Sequence, residues 1–403
     1  MSRLIRPAAV LGLLAAMCGT VVTAAELVPP DRIFLVSNQE VGSIKITEAT
    51  SSSVTYVPYS GPGPGVTLPR EVIKEIRWGD APPALQRAIA SLSEQGNARA
   101  ALSAIEGLPE TGPRAFWYKP FRGLFYAQCL MALTPGKYAE ALPELQNVIR
   151  DYPNSFYVLD AIQTKMAAHK ALQQYEEVAK TAEALDPDAP NPQGRAPYGK
   201  LWQLRGRLAM AEALVLSKQQ AKATALYEGL DTMTKNLLAD PPESMQPAVS
   251  EISAIQQQAW IGQCQALKSS DPAKAAAKME EVKEQIKDEG VRLDMYMTLG
   301  DLYQALAEKQ NTDDAKRVEY KKALFVYMRI YILYPEYKEV RPKAMLNAAS
   351  ASGFLGTPDD KTRAIRIAKE LVAEFPESPE AKEAGRLLES LGVKTQRNDS
   401  PVE

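Results

Sequence analysis

The sequence predicts a mainly α protein, a solenoid of helix hairpins preceded by a small all-β, barrel-like module. Residues 31–78 carry short β-branched runs with polar alternation, which is typical of strands. Residues 81–391 instead have apolar side chains at helical spacing and abundant Ala, Leu, Gln, Lys and Glu. Three aromatic-proline pairs recur where helices are expected to end: Tyr152-Pro153, Tyr334-Pro335 and Phe375-Pro376.

Composition limits the classes of function. The 403 residues are 45% hydrophobic and 24% charged, as in folded globular proteins. Because 47 basic residues nearly balance 49 acidic ones, we expect no nucleic acid as the main partner. One histidine and three cysteines leave little material for a metal or haem site. We therefore predict no catalytic, cofactor-binding or metal-binding residues and no enzymatic activity.

The N-terminus has the features of an export signal. Arg3 and Arg6 precede an uncharged apolar run over residues 8–22, and small residues follow it. The run is shorter than the roughly 20 residues of a membrane-spanning helix. We predict a signal peptide at residues 1–25 and an exported protein, periplasmic or associated with the cell envelope. A retained anchor stays open, as does lipidation at Cys18, whose flanking residues depart from the lipoprotein motif.

The β module is expected to span residues 26–80. Its five short strands are predicted at residues 33–36, 41–46, 54–57, 66–68 and 72–76. Their order resembles the SH3-like and Sm-like small barrels, in which Gly42 would occupy the bend of the second strand. The mixed charges of the module show no basic stripe of the kind that binds RNA.

The helical region contains internal repeats. Asp151-Tyr152-Pro153-Asn154-Ser155 and Glu374-Phe375-Pro376-Glu377-Ser378 are near copies, and Gly136, Tyr138 and Ala141 follow a Gly-x-Tyr-x-x-Ala pattern. Leu299-Gly300-Asp301-Leu302-Tyr303 matches the first helix of such a unit. At these residues the chain resembles the tetratricopeptide repeat superfamily, whose helix hairpins are 34 residues long. A generic α-solenoid is the alternative, with nearly the same consequences for the fold.

Two stretches of the repeat region depart from the pattern. Residues 200–290 are periodic but degenerate, and only Tyr227 and Gly262 are suggestive there. Polar residues 308–317 are expected to form an insertion longer than the usual turn, before a helix over residues 323–334. The helical repeat domain is predicted over 81–391, followed by a disordered tail at 392–403.

The remaining cysteines and the histidine are expected to serve packing. Cys129 and Cys264 lie far apart, and repeat units contact only their neighbours, which favours two buried thiols over a disulfide. His169 falls at a packing position of its repeat. Neither observation indicates a catalytic or metal-binding role.

The resemblance implies a superhelix whose concave face is lined by the first helix of each hairpin and holds an extended or helical peptide. The repeat endings look most like bacterial envelope members, which include outer-membrane assembly lipoproteins and the coordinator of the Tol–Pal system. Counting in the repeat register places six residues on the concave face as candidates for partner binding: Tyr126, Gln163, Lys170, Asp294, Asp301 and Gln304.

Two functions follow as hypotheses. The first is an exported, non-enzymatic scaffold of the cell envelope that binds a partner protein or peptide and associates peripherally with envelope complexes. The sequence does not predict its oligomeric state. The second is a peptidoglycan-processing enzyme or its accessory subunit, since helical superhelices occur in peptidoglycan lyases. The periodic region leaves no segment for a compact catalytic domain, which favours the scaffold.

Overall fold

The computed structural model describes residues 28–60, 63–109, 114–186, 188 and 198–393, without the side chain of Ala115. The expected signal peptide at 1–25, with Cys18, lies outside the described residues, as does the tail from residue 394 onward. Within the described part of the chain, no helix has the length and apolar character needed to cross a membrane.

The N-terminal module is a five-stranded antiparallel sheet. Its strands are β1 (Asp31–Leu35), β2 (Glu40–Ala49), β3 (Ser53–Pro58), β4 (Val66–Pro69) and β5 (Ile73–Arg77). They lie in the order β4-β3-β2-β1-β5, and a 3-10 turn at Arg70–Val72 joins the last two. The five predicted strands are confirmed. The left-handed residue in β2 is Ser43, with φ of 53°, next to the expected Gly42.

The rest of the described chain is helical, as predicted. The helices are α1 (Pro83–Ser93), α2 (Ala98–Glu106), α3 (Ala115–Ala132), α4 (Tyr138–Asp151), α5 (Val158–Ala171), α6 (Tyr175–Ala182), α7 (Lys200–Leu216), α8 (Gln220–Ala239), α9 (Val249–Leu267), α10 (Pro272–Val282), α11 (Glu289–Lys309), α12 (Asp313–Leu333), α13 (Arg341–Leu355), α14 (Pro358–Glu374) and α15 (Pro379–Ser390). Sequential helices pack as antiparallel neighbours, so that each odd-numbered helix is the first of a hairpin and each even-numbered helix the second.

The aromatic-proline pairs end three second helices with the same geometry. Tyr152, Tyr334 and Phe375 are the residues that follow α4, α12 and α14, and their φ/ψ angles are −128°/52°, −129°/56° and −131°/54°. The next residue is proline, which lacks an N–H and disfavours helical backbone in the residue before it. The sequence repeat is therefore a repeated way of ending a helix.

Close contacts between glycine and tyrosine hold neighbouring helices together. A Cβ atom added at Gly300 of α11 would lie 2.4 Å from the ring of Tyr327 on α12. One added at Gly262 of α9 would lie 2.2 Å from the ring of Tyr227 on α8. Both rings are buried directly against a helix backbone. The degenerate stretch 200–290 therefore contains the same kind of glycine–tyrosine contact, here between consecutive hairpins.

The expected insertion at 308–317 is wrong. Helix α11 continues to Lys309 and α12 begins at Asp313, so that only a short connection separates two 21-residue helices. Ala307 and Tyr320, which flank the stretch on either side, are buried. The Thr312 side chain accepts a hydrogen bond from the Ala315 N–H and caps α12. Most of residues 308–317 therefore extend the two helices of the hairpin and do not form a loop.

Both described cysteines are free and buried, which confirms the prediction of two thiols. Burial raises the pKa of Cys129 and of Cys264 to about 12. His169 is also buried, with Nδ1 2.7 Å from Gln174 Oε1, in agreement with its packing position.

The sheet and the first helices share one hydrophobic core. Trp78, just after β5, stacks on Trp117 of α3 with ring centroids 5.0 Å apart, and its indole N–H donates to the Tyr157 hydroxyl at 2.6 Å. Arg114 binds Asp31 and Asp80 at 2.7 and 2.6 Å and so ties the start of α3 to the beginning of β1 and to the residues that follow β5. The module is therefore built into the end of the solenoid.

Candidate partner-binding groove

A cavity of about 410 Å³ opens on the first helices of three consecutive hairpins. Helices α5, α7 and α9 form it, with Tyr175 and Val178 of α6 at one side. We call this cavity the concave groove. The side chains that line it are Gln163, Met166, Ala167, Lys170, Tyr175, Val178, Arg205, Leu208, Ala209, Glu212, Ala213, Leu216, Glu251, Ala254, Ile255 and Gln258.

The floor of the concave groove is apolar and its small residues make it wide. Met166, Leu208 and Ile255 supply apolar surface, while Ala209 and Ala254 leave space above the backbones of α7 and α9. Apolar lining with a few placed polar groups is the usual character of a ligand site.

Two ion pairs cross from helix to helix within the concave groove. Lys170 Nζ of α5 lies 3.0 Å from Glu212 Oε2 of α7. Arg205 Nε of α7 donates to Glu251 Oε1 of α9 at 2.6 Å, and its guanidinium lies 4.3 Å from the centre of the Trp202 ring. The lining thus has two cations and two carboxylates and no net charge.

The sheet supports the groove helices near their N-terminal ends through the 3-10 turn. Arg70 is buried, with its guanidinium 3.7 Å from the Phe156 ring centre and Nη2 2.7 Å from Asp160 Oδ2 on α5. Burial lowers the pKa of Arg70, and the negative charge of Asp160 opposes that shift. The Arg70 guanidinium also lies 5.2 Å from the centre of the Trp202 ring on α7.

The next residue of the turn caps α7. Glu71 Oε2 accepts a hydrogen bond from the backbone N–H of Leu201 at 3.1 Å, and a carboxylate at a helix N-terminus is favourable. Gly199 makes this approach possible, because its φ is 99° and a Cβ there would lie 2.3 Å from the Glu71 carboxylate. The β module therefore sets the position of the central groove helix.

The structure brings three of the six candidate residues to one region. Gln163 and Lys170 line the concave groove. Asp294 of α11 interacts electrostatically with the groove carboxylate of Glu212. Desolvation, and then the negative charge of Glu212, raise the pKa of Asp294, while the positive charge of Lys343 lowers it. These three residues extend the surface from α5 to α11.

The other three candidates have structural contacts. The Tyr327 hydroxyl donates to Asp301 Oδ1 at 2.7 Å and lies 3.2 Å from Gln304 Oε1, so both residues hold the ring that packs on Gly300. Asp301 also pairs with Lys268 at 3.4 Å. Tyr126 of α3 packs partly buried against the core, where desolvation and then Glu106 raise the pKa of its hydroxyl.

Sequence reasoning missed the central residues of the groove. Arg205, Glu212, Glu251 and Gln258 all lie within the degenerate stretch 200–290. A usable signal is the spacing of residues 205, 208, 209, 212 and 216, which places them on one face of a single helix. Among the described residues, no group of three or more His, Cys, Asp or Glu side chains could hold a metal ion.

No protein-family profile and no curated protein matches the chain. Among solved structures, it is similar to a tetratricopeptide repeat protein from Parabacteroides merdae, with 11% identity, a TM-score of 0.47, and coverage of 76% of this chain and 99% of that one.

Two further solved structures are similar to the chain. The C-terminal part of a TPR repeat-containing protein from Cytophaga hutchinsonii has 15% identity and a TM-score of 0.24, over 65% of this chain and 98% of that one. The nuclear import adaptor Nro1, a hypoxic regulator of sterol synthesis, has 13% identity and a TM-score of 0.27, over 75% and 90%.

Proposed function

We propose that this protein is a non-enzymatic interaction scaffold that binds an extended or helical segment of a partner protein in the concave groove. The observation that carries the proposal is the lining of α5, α7 and α9, in which an apolar floor lies beside two ion pairs, each joining a cation on one helix to a carboxylate on the next.

The chemistry of the lining favours a peptide segment. The floor can bury one or two apolar side chains, and the amides of Gln163 and Gln258 can bond the polar backbone of an extended segment. Because the two ion pairs leave no net charge, the groove lacks the unpaired cations that a polyanion would require. We accordingly propose a protein and not a nucleic acid as partner.

The proposal also includes the localisation of the protein. The N-terminal sequence over residues 1–25 supports export, and the repeat endings support an envelope role with peripheral association to envelope complexes. Cell fractionation of the untagged protein tests this point, because recovery in the cytoplasm would contradict it.

Site-specific photo-crosslinking tests the binding surface. A photoreactive amino acid at Ala209 or Ala254 points the probe into the groove, and Ala277, exposed on α10, is the matched control outside the groove. We expect one partner protein to attach at the two groove positions and not at the control. Attachment only at Ala277, or muropeptide release from peptidoglycan by the pure protein, would contradict the proposal.

A further inference from the structure

The outer side of the C-terminal hairpins has an apolar line that no described residue covers. Val318, Phe325 and Ile332 of α12 are 54%, 60% and 59% exposed. They are seven residues apart, so they lie on one face of the helix at steps of about 10 Å. An apolar row along one helix face, flanked by polar residues, is a candidate interaction surface.

Three exposed cations lie near this line. Lys321 lies one turn before Phe325, and Arg366 and Lys369 are exposed on the neighbouring helix α14. Within the described part of the chain, none of these three cations forms an ion pair. The Tyr331 hydroxyl donates to Glu370 Oε2 at 2.5 Å and joins the two helices at this level. We call Val318, Lys321, Phe325, Ile332, Arg366 and Lys369 the outer patch.

We infer that the outer patch binds an anionic lipid surface. Unpaired cations beside exposed apolar side chains are the pattern of interfacial helices, in which the apolar groups enter the headgroup region and the cations contact lipid phosphates. Lys and Arg side chains can reach headgroups while their stems stay against apolar surface. The surface would act independently of the concave groove.

A partner helix fits the outer patch less well. A helix–helix seam needs apolar residues at two positions of each seven-residue repeat, and the second position here begins with the exposed Lys321. A second copy of the chain fits poorly too. Antiparallel pairing centred on Phe325 would place Lys321 of each copy beside Arg329 of the other, and like charges repel.

Vesicle co-sedimentation of the full chain tests the inference. We expect binding to phosphatidylcholine vesicles that contain phosphatidylglycerol, weak binding to phosphatidylcholine alone, and loss of affinity as salt rises. Replacing Lys321, Arg366 and Lys369 together by Gln should weaken binding roughly 100-fold, at about fivefold for each cation. The matched control removes three exposed cations from other second helices: Lys180→Gln, Lys235→Gln and Lys274→Gln.

A second pair of variants tests the apolar line. Phe325→Ser with Ile332→Ser should abolish the binding that survives at high salt, whereas Val66→Ser, an exposed apolar residue of β4, should not. Circular dichroism checks that each variant is folded. Equal vesicle binding by patch and control variants would overturn the inference. So would absence of vesicle binding at low salt, or capture of an acidic protein helix by the patch instead of vesicles.

Discussion

The two ends of this molecule join their elements in different ways. At the N-terminal end, the sheet meets the helices through a buried guanidinium, Arg70, and a stack of Trp78 on Trp117. In the C-terminal hairpins, neighbouring helices meet through a glycine against a tyrosine ring, as in Gly300 and Tyr327. The first junction depends on partners far apart in sequence, whereas the second joins sequential helices and is found again between Gly262 of α9 and Tyr227 of α8.

The contrast explains what each junction can do. A repeated contact can be extended by adding hairpins, because each unit needs only its neighbour. The sheet junction occurs once and fixes the N-terminal ends of α5 and α7 through Asp160 and the Glu71 cap. The groove therefore lies where the irregular junction holds the regular solenoid.

The largest effect is expected at the sheet junction. Asp160→Ala should lower the free energy of unfolding by about 3 kcal/mol, because it leaves the buried Arg70 guanidinium without its carboxylate. Urea unfolding followed by circular dichroism measures this. Arg70→Met should cost less, since the Asp160 side chain is 30% exposed and can hydrate. If the two variants were equally destabilised, the unpaired buried charge would not be the cause.

A single methyl group added at the glycine–tyrosine contact of a hairpin should lower the stability of the protein. Gly300→Ala places a Cβ against the Tyr327 ring and should cost about 2 kcal/mol by overpacking. Gly353→Ala is the matched control in α13, where a Cβ would meet nothing within 4 Å. The control should gain roughly 0.5 kcal/mol, because alanine is the better helix former. Thermal unfolding with the opposite sign for either variant would contradict the contact.

A third effect belongs to the link between α6 and α7 and depends on pH. Burial raises the pKa of Asp186, but hydrogen bonds from Arg207 and Gln203 outweigh it and hold that pKa below its ordinary value. The stabilisation is therefore present above the ordinary pKa and is lost as pH falls through the lowered one. Asp186→Asn should cost about 1 kcal/mol at pH 7 and progressively less below about pH 4.

Urea unfolding of both proteins at several pH values measures this difference. Asp188→Asn is the control, since its carboxylate binds the same Arg207 but is 66% exposed. A cost for Asp186→Asn that stays constant down to pH 2 would show that the carboxylate charge is not involved.

The smallest effect is expected in the reactivity of the two buried thiols, one from each region. Cys129 lies in the core shared with the sheet, and Cys264 lies among the hairpins. With both pKa values raised to about 12, iodoacetamide at pH 8 should leave both peptides unmodified in the native protein and label both in urea. Peptide mass spectrometry reads each site separately. Native labelling of one cysteine alone would mark its region as the one that opens.

The same contrast decides how much the sequence could predict. Helix endings such as Tyr334-Pro335, and the five strands, follow from local spacing and were predicted correctly. The Arg70–Asp160 pair joins residues 90 positions apart and leaves no periodic trace. Lys170 could be placed by repeat register, whereas its partner Glu212 lies in a degenerate repeat. The register places Asp301 on the concave face, but it does not predict the hydrogen bond that Asp301 accepts from the Tyr327 hydroxyl of the next helix.

Hydrogen exchange with the captured partner tests the concave groove most directly. The protein is compared with and without the partner, and deuterium uptake is measured by mass spectrometry over α5, α7 and α9. Our account predicts that bound partner slows exchange in these three first helices, with the second helices α8 and α10 unchanged. Slower exchange confined to the second helices or to the sheet, with α5, α7 and α9 unaffected, would contradict it.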